Sequence, residues 1–323
     1  MNTIPLTFDQ RQIQCTLIGG SELPAKESEC LPITAVLLNR GARHFRPKIF
    51  DSLTEFKFKS IISVEQMGDD YELENLARTY PHVKFVVPQE EVTTGDMINI
   101  AVNEAETDYV LVMWNNTSLD GRYLPQQLIE KVINDGILCQ VPLVLSSGHV
   151  VQNLPMEMVP YPAGNSFEVS ANVNVHDNTP TLFPFDFLGI YNCAKFKEIG
   201  GYDYTIKNSY WQNMDFCFRA WLYGEKIQLA SRFKIKYLDN ENRDDITKDS
   251  SYLRFYLKNV MPLFKIDHVE LSRKRFWAYL KRCPHNIFDT LSEFKAGRAW
   301  VEENKNKFKT DAKNLVELWG KNK

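Results

Sequence analysis

The sequence predicts an α/β fold, in which a mixed sheet is flanked by helices and followed by a C-terminal helical extension. Three observations support this prediction. Short β-rich segments alternate with amphipathic helical segments from Pro32 onward, which is the pattern of βαβ units. Residues 109–113 are continuously apolar, as expected of a parallel strand covered on both faces. Beyond Asn240 the composition changes to long amphipathic patterns rich in Lys and Arg.

The predicted elements alternate regularly through the central part of the chain. Strands are predicted at 33–38, 59–65, 83–87, 109–113, 137–145 and 226–237, and helices at 45–53, 70–80, 95–105, 124–133 and 213–223. Thr94 is predicted to cap the helix that follows it, and Gly224 to end the helix before it. Residues 146–181 are polar and weakly periodic, and we expect loops or an irregular hairpin there.

The chain is predicted to have three parts. Residues 1–30 precede the sheet pattern and form an N-terminal extension or hairpin, and residues 31–240 form the sheet domain. Residues 241–323 form the helical extension, with helical patterns at 252–260, 271–283 and 290–319.

Composition narrows the classes of function. The formal charge is −3 and both signs are mixed along the chain, so the sequence does not have the cluster of basic residues expected of a nucleic-acid-binding protein. The first residues lack the basic stretch and apolar run of a signal peptide, and no segment has the length and apolarity of a membrane span. We therefore expect a cytoplasmic protein. The six cysteines are far apart without metal-ligand spacing, which favours reduced, packed thiols.

Several polar residues fall where the predicted strands end. Asn39-Arg40 follows the first strand, Glu65 ends the second, and Trp114-Asn115-Asn116 follows the apolar strand. Ligands of open α/β sheets gather beyond the carboxyl ends of the strands. This edge is therefore the predicted binding site.

These residues belong to an ordered series of landmarks over residues 32–240. The series continues with Gly95 and Asn99 in one helix, Asp108-Tyr109 before the apolar strand, the segment 200–203, and Gln212-Asn213-Met214-Asp215-Phe216 upstream of Arg219. In this order and placement, the landmarks resemble those of the family-2 glycosyltransferases. The resemblance implies a Rossmann-like mixed sheet of the GT-A type and a nucleotide sugar as ligand.

The resemblance also assigns site residues. The nucleotide-binding positions it implies are Asn39, Arg40, Glu65, Gly95, Asn99, Trp114, Asn115 and Asn116. Asn213 stands at the position of the catalytic base, and Asp215 is the nearest carboxylate. In the family, the Asp that matches Asp215 is more often structural, with its carboxylate held by nearby backbone or by an Arg.

Two acidic motifs of the family are replaced in this chain. Trp114-Asn115-Asn116 stands where the family has the Asp-x-Asp that holds a divalent metal, and hard cations prefer charged oxygen ligands. We therefore predict no strong site for Mn²⁺ or Mg²⁺ and assign no cofactor. Gln212-Asn213 stands where the family has Glu-Asp, and an amide accepts no proton at neutral pH.

Two hypotheses about function remain open from the sequence. One is a glycosyltransferase that transfers a hexosyl-type group to a glycan or other acceptor without metal, with Arg40 or Arg43 aiding the diphosphate. The other is a noncatalytic relative that binds a glycan, a nucleotide or a protein. Simpler alternatives are a polar turn at Asn115-Asn116, a core position for Trp114 and a structural carboxylate at Asp215.

The basic extension also has two interpretations. Basic residues at 273–275 and 281–282 surround Trp277 and its aromatic neighbours. The favoured interpretation is a helix packed on the sheet domain with a solvated basic face. The alternative is peripheral contact with an anionic membrane surface.

Overall fold

The computed structural model describes residues 11–21, 30–41, 43–67, 73–119, 126–147, 152–164, 166–174, 176–283 and 286–319. Within them, nine strands form one mixed sheet in the order β1-β4-β3-β2-β5-β10-β7-β11-β6. These strands are β1 Cys15–Gly19, β2 Leu31–Leu38, β3 Phe58–Val64, β4 Val83–Pro88, β5 Tyr109–Trp114, β6 Thr117–Leu119, β7 Cys139–Leu145, β10 Gly189–Asn192 and β11 Ile227–Tyr237. The predicted α/β fold with a mixed sheet is confirmed.

Helices cover the sheet and build the extension. They are α1 Arg46–Glu55, α2 Leu73–Thr79, α3 Thr94–Glu104, α4 Gln126–Asp135, α5 Cys193–Ile199, α6 Ser209–Leu222, α7 Ser250–Phe255, α8 Phe276–Leu280, α9 Ile287–Asn304 and α10 Ala312–Glu317. A π-helical turn, Tyr256–Val260, continues α7. The first residues of two predicted helices, 70–72 and 124–125, lie outside the described residues.

The direction of the strands explains where a site can form. β2 pairs in parallel with both β3 and β5, and β3 pairs in parallel with β4. The carboxyl ends of these four strands therefore meet at one edge of the sheet. β10 runs antiparallel between β5 and β7, which makes the sheet mixed.

The N-terminal extension differs from its prediction. Its segment β1 pairs antiparallel with β4 at the edge of the main sheet, whereas the sequence predicted an extension or hairpin outside the sheet pattern. Without β1, the edge of β4 would present unpaired backbone groups, and pairing satisfies them. Residues 1–10 and 22–29 of the extension lie outside the described residues.

Three further sequence predictions need correction. Thr93, not Thr94, caps α3, because its side chain accepts from the Asp96 amide while the Asp96 side chain accepts from the Thr93 amide. Within 146–181, β8 Glu157–Ala163 and β9 Ser166–Asn172 form a hairpin of regular register. The single helix predicted at 290–319 is two helices, because Asp311 caps α10 and so starts a new helix.

The helical extension packs directly on the sheet domain. Trp300 of α9 and Leu257 of the π-helical turn are buried in the same hydrophobic core as the strands. Gly297 lets α9 approach closely, since a Cβ there would lie 2.5 Å from Leu257 Cδ2. The division of the chain at residue 240 stays a prediction. Within the described residues, no helix is both long and apolar enough to cross a membrane.

Candidate functional site

The predicted site residues Asn39-Arg40 and Asn115-Asn116 meet at the carboxyl edge of the sheet. They extend from β2 and β5, which are adjacent and parallel. The Arg40 amide donates to Asn115 Oδ1 at 3.4 Å, and the Asn115 side-chain amide donates to the Gly41 carbonyl. Asn115 is fully buried. These bonds fix the two strand ends against each other.

Arg40 places a positive charge at this edge. Its guanidinium carbon lies 4.1 Å from the centre of the Trp114 ring, within the range of a cation–π interaction. The same guanidinium donates to Asn116 Oδ1 at 3.1 Å and forms an ion pair with Asp186 at 2.6 Å. The Arg40 side chain keeps 19% of its surface exposed, so it is the group of this cluster that solvent reaches.

Asp186 is the site residue that the sequence analysis missed. It is buried, and it adopts a left-handed backbone conformation with φ of 49°, which is uncommon for a residue other than glycine. Tyr237 Oη donates to its carboxylate at 2.6 Å and Asn242 Nδ2 donates at 3.2 Å. Strained, buried carboxylates of this kind cluster at functional sites. A lone carboxylate inside the apolar run 182–188 was the available signal.

The pKa of Asp186 is raised above its ordinary value. Burial is the largest cause, because it disfavours the charged form, and it outweighs the opposing effects of Arg40 and Tyr237. Trp114 anchors the same segment by donating its indole N–H to the Asp186 carbonyl at 2.9 Å. Trp114 itself is 4% exposed. It therefore packs in the core while its ring supports Arg40.

Asn39 and Glu65 form a second, fully buried cluster beside the first. Glu65 makes an ion pair with Arg46, and it accepts from Ser63 Oγ at 2.8 Å and from Asn39 Nδ2 at 3.2 Å. Arg46 Nε donates to Asn39 Oδ1 at 3.0 Å. Both predicted nucleotide-binding residues thus have internal partners, and a ligand could reach Glu65 only if this cluster opened.

Gly95 and Asn99 hold α3 against the loop that precedes α6. Asn99 exchanges two hydrogen bonds, both 2.9 Å long, with the backbone of Tyr202. The Gly95 amide donates to Gln212 Oε1 at 2.8 Å, and a Cβ on Gly95 would lie 2.4 Å from Tyr202 Cβ. The contacts of these two predicted nucleotide-binding residues are therefore structural.

Gln212 and Asn213 are buried amides with defined partners. Gln212 Nε2 donates to Thr93 Oγ1 at 2.7 Å and to the Asp203 carbonyl at 3.0 Å. Asn213 Nδ2 donates to the Pro184 carbonyl at 2.8 Å. Asn213, which the sequence predicts at the base position, is thereby connected through Pro184 to the segment that carries Asp186.

Asp215 lies in a buried ionic network away from solvent. Burial alone would raise the pKa of Asp215, but the charges of Lys258 and Arg219 outweigh it and hold the pKa below its ordinary value. Lys258 Nζ lies 3.1 Å from Asp215 and 2.9 Å from Asp203, and Asn259 Nδ2 donates to Asp215 at 2.7 Å. The lowered pKa makes Asp215 a poor proton acceptor, so this arrangement does not suit a general base.

The residues around Trp114-Asn115-Asn116 do not fit a divalent metal. The carboxylate of Asp186 is paired with Arg40, and that of Asp239 accepts from Asn116 Nδ2 at 2.7 Å. Neutral amides are weak ligands for hard cations, and the adjacent guanidinium repels them. Among the residues that the structure describes, no group of three or more His, Cys, Asp or Glu side chains could hold a metal ion.

Comparisons with known proteins bear on the fold. The sequence matches no protein-family model and no curated protein sequence. The structure is similar to that of GalNAc-T7 with UDP, GalNAc and Mn²⁺, with a TM-score of 0.61 and 12% identity, over 90% of this chain and 56% of the GalNAc-T7 chain. This chain thus spans little more than half the length of that protein.

It is also similar to S. aureus TarS 1-349 in complex with UDP-GlcNAc, with a TM-score of 0.50 and 11% identity, over 84% of this chain and 72% of that chain. For the same protein in complex with UDP, the TM-score is 0.50 at 11% identity, over 90% of this chain and 92% of that chain. At such low identities the likeness concerns the fold alone. The chain therefore has a GT-A-type glycosyltransferase fold.

Proposed function

We propose that the protein binds a nucleotide sugar at the carboxyl edge of β2 and β5, and that Arg40 supplies the positive charge that a divalent metal supplies in the family-2 glycosyltransferases. The observation that carries this proposal is the position of Arg40, which is stacked on Trp114 and bonded to Asn116 where the Asp-x-Asp motif of the family would lie. GalNAc-T7 and TarS, which share the fold, have been solved with UDP or UDP-GlcNAc, and this supports the choice of ligand.

A guanidinium is chemically suited to a diphosphate. It remains charged at all physiological pH values and presents several N–H donors in one plane, which match phosphate oxygens in pairs. Contact with Trp114 fixes its orientation and keeps water from one face. In the proposed complex the diphosphate takes the place of Asp186 as partner of Arg40.

For the transfer step we propose Asp186 as the proton acceptor. The acceptor oxygen would form a bond to the anomeric carbon, the bond from that carbon to the diphosphate oxygen would break, and the acceptor proton would pass to the Asp186 carboxylate. Arg40 would stabilise the charge of the departing diphosphate. Burial already raises the pKa of Asp186, and loss of its ion pair with Arg40 would raise the pKa further, toward the range that suits a general base.

The second candidate function is noncatalytic binding by the same edge of the sheet. The observation that favours it is the burial of both Asn116 and Asn213. Their side-chain amides donate hydrogen bonds to the Asp239 carboxylate and the Pro184 carbonyl. In this case the nucleotide sugar or a glycan is bound but not turned over. Asp215 has a structural role under both candidates, as its burial between Lys258 and Arg219 supports.

The binding proposal is tested by titrating UDP and a panel of nucleotide sugars calorimetrically, once with Mn²⁺ and once with chelator. We expect the affinities to differ by less than about threefold between the two conditions. Arg40→Gln should weaken binding by about tenfold or more, because charge-assisted hydrogen bonds are lost. Arg78→Gln, in which an exposed arginine of α2 is changed, is the matched control and should bind normally.

A metal-dependent gain of about tenfold or more, or unchanged binding by Arg40→Gln, would overturn the proposal. Turnover of the bound nucleotide sugars then separates the two candidates. Transfer by the native protein that Asp186→Asn abolishes, with binding retained, supports catalysis by Asp186. Binding without any turnover of the panel supports the noncatalytic candidate.

A further inference from the structure

A large cleft lies on the helical extension, between α8, α10 and the β8–β9 hairpin. Its volume is about 930 Å³, which is within the range of ligand sites in proteins. Five cationic residues and Trp277 line it, and we call it the basic cleft. The cations are Lys274, Arg275, Lys281, Arg282 and Lys313.

The charged residues that line the basic cleft are mostly cations. Among the described residues that line it, Glu317 is the one acidic residue, and its carboxylate lies 3.9 Å from Lys313 Nζ. Arg275 is held by a hydrogen bond to the Met261 carbonyl, and Arg282 lies 4.7 Å from the centre of the Tyr256 ring. The chain as a whole carries a net charge of −3, so this concentration of cations is local. Clustered cations in a concave site attract anions strongly.

The rim of the basic cleft carries an exposed aromatic ring. Trp277 keeps 65% of its surface accessible, whereas Tyr256 on the inner wall is 7% exposed. An indole offers an apolar face on which the C–H face of a sugar ring can stack, and its N–H remains free to donate. Trp277 thus places an apolar face beside the cations of the basic cleft, which suits a sugar ring that carries anionic groups.

The basic cleft has a smaller neighbouring cavity along β9. A second cavity, of about 270 Å³, shares Ser166 and Phe167 with the basic cleft and is lined in addition by Trp211, Tyr252 and Lys248. A chain-like ligand longer than the basic cleft would meet a further basic and aromatic surface beside β9.

We propose that the basic cleft binds an acidic glycan, a sugar chain that carries phosphate, sulfate or carboxylate groups, as the acceptor or a bound partner of the GT-A domain. Anion binding follows from the cleft alone, whereas the role as acceptor rests on the proposed function. A membrane is disfavoured, because the cations line a concavity and α8 has only five residues, while an interfacial helix presents a long continuous face.

The test is calorimetric titration of the full chain with a heparin-derived tetrasaccharide, tetragalacturonate and neutral maltotetraose. We expect at least one acidic tetrasaccharide to bind about tenfold or more tightly than maltotetraose, with an affinity that falls as salt rises. Lys274→Gln with Lys281→Gln should weaken this binding by about tenfold or more. The control pair, Lys295→Gln with Lys307→Gln, changes exposed lysines outside the cleft and should bind normally.

Other outcomes overturn the inference. One is that no acidic tetrasaccharide binds with a Kd below about 1 mM. Another is that acidic and neutral chains bind equally well, and a third is that the Lys274 and Lys281 changes leave binding unaffected. Preferential binding to phosphatidylglycerol vesicles would establish the membrane interpretation instead. Arg40→Gln separates this inference from the proposed function, because it should weaken UDP binding by about tenfold or more and leave acidic tetrasaccharide binding intact.

Discussion

Lys258 connects the helical extension to the sheet domain through two buried ion pairs. It lies on the π-helical turn after α7, 1% exposed, and its Nζ contacts Asp203 at 2.9 Å and Asp215 at 3.1 Å. Replacing it in Lys258→Met keeps an unbranched side chain of similar length but removes the charge. Asp215 retains Arg219 and Asn259, whereas Asp203 retains only its bonds from Thr205 among the described contacts.

The expected loss of stability follows from the Asp203 carboxylate, which loses its cation in Lys258→Met. Removing one partner of a buried pair typically costs about 3–5 kcal/mol, and we expect the lower half of this range because Arg219 still neutralises Asp215. For a chain of this length that corresponds to a fall in Tm of roughly 5 °C. Thermal and urea unfolding of the native protein and the variant measure it. Lys295→Met, on the exposed face of α9, should stay within about 0.5 kcal/mol of the native protein.

A double variant identifies the cause. Adding Asp203→Asn to Lys258→Met should recover more than half of the loss, because no unpaired buried charge then remains. A deficit below about 1 kcal/mol, or a double variant that is less stable than Lys258→Met, would refute the reasoning.

Three other predictions follow from single contacts. Gly95→Ala should destabilise the fold by about 1–3 kcal/mol in urea unfolding, because its Cβ would lie 2.4 Å from Tyr202 Cβ, and a stability equal to the native one would contradict this packing. Because burial raises the folded-state pKa of Asp186, its contribution to stability is present below the unfolded pKa and lost as pH rises through the folded pKa. The Tm of Asp186→Asn minus that of the native protein should therefore grow from about pH 4 to about pH 8, and a constant difference would count against it. Asn116→Asp should lower the Tm at neutral pH, since it sets a carboxylate against Asp239, whereas an unchanged Tm would show that the two groups separate easily.

The sheet and its carboxyl edge were predictable because they depend on local patterns. The apolar run at 109–113 gave β5, and alternating βαβ units gave the parallel order in which β2 and β5 bring Arg40 beside Asn116. The interruption of the last predicted helix was missed, because Asp311 acts as a cap through contacts with Asn314 and Phe264 that periodicity does not report. β1 was missed for a similar reason, since a short strand is defined by the edge it joins.

The candidate site was predictable only in part. Sequence order places Asn115 and Asn116 at a strand end, but it does not show that Glu65 is neutralised by Arg46 or that Asn99 binds the backbone of Tyr202. Asp186 lies about 70 residues after Trp114 and has no periodic pattern around it, so only the fold brings it to Arg40. Tertiary contacts of this kind determine which polar residues remain available to a ligand.

Asn116 and Asn213 share one physical feature. Asn116 donates to the Asp239 carboxylate, and Asn213 donates to the Pro184 carbonyl, so each amide faces a group that can only accept. A carboxylate at either position would face an acceptor at hydrogen-bond distance inside a buried region. The lost hydrogen bond and the repulsion between the two acceptors would lower the stability of the fold. Arg40 donates to Asn116 Oδ1 and has Asp186 as its counter-ion, so a cation already lies beside Asn116. The surroundings therefore favour an amide at both positions, because its N–H satisfies the facing acceptor and, at position 116, its oxygen accepts from Arg40.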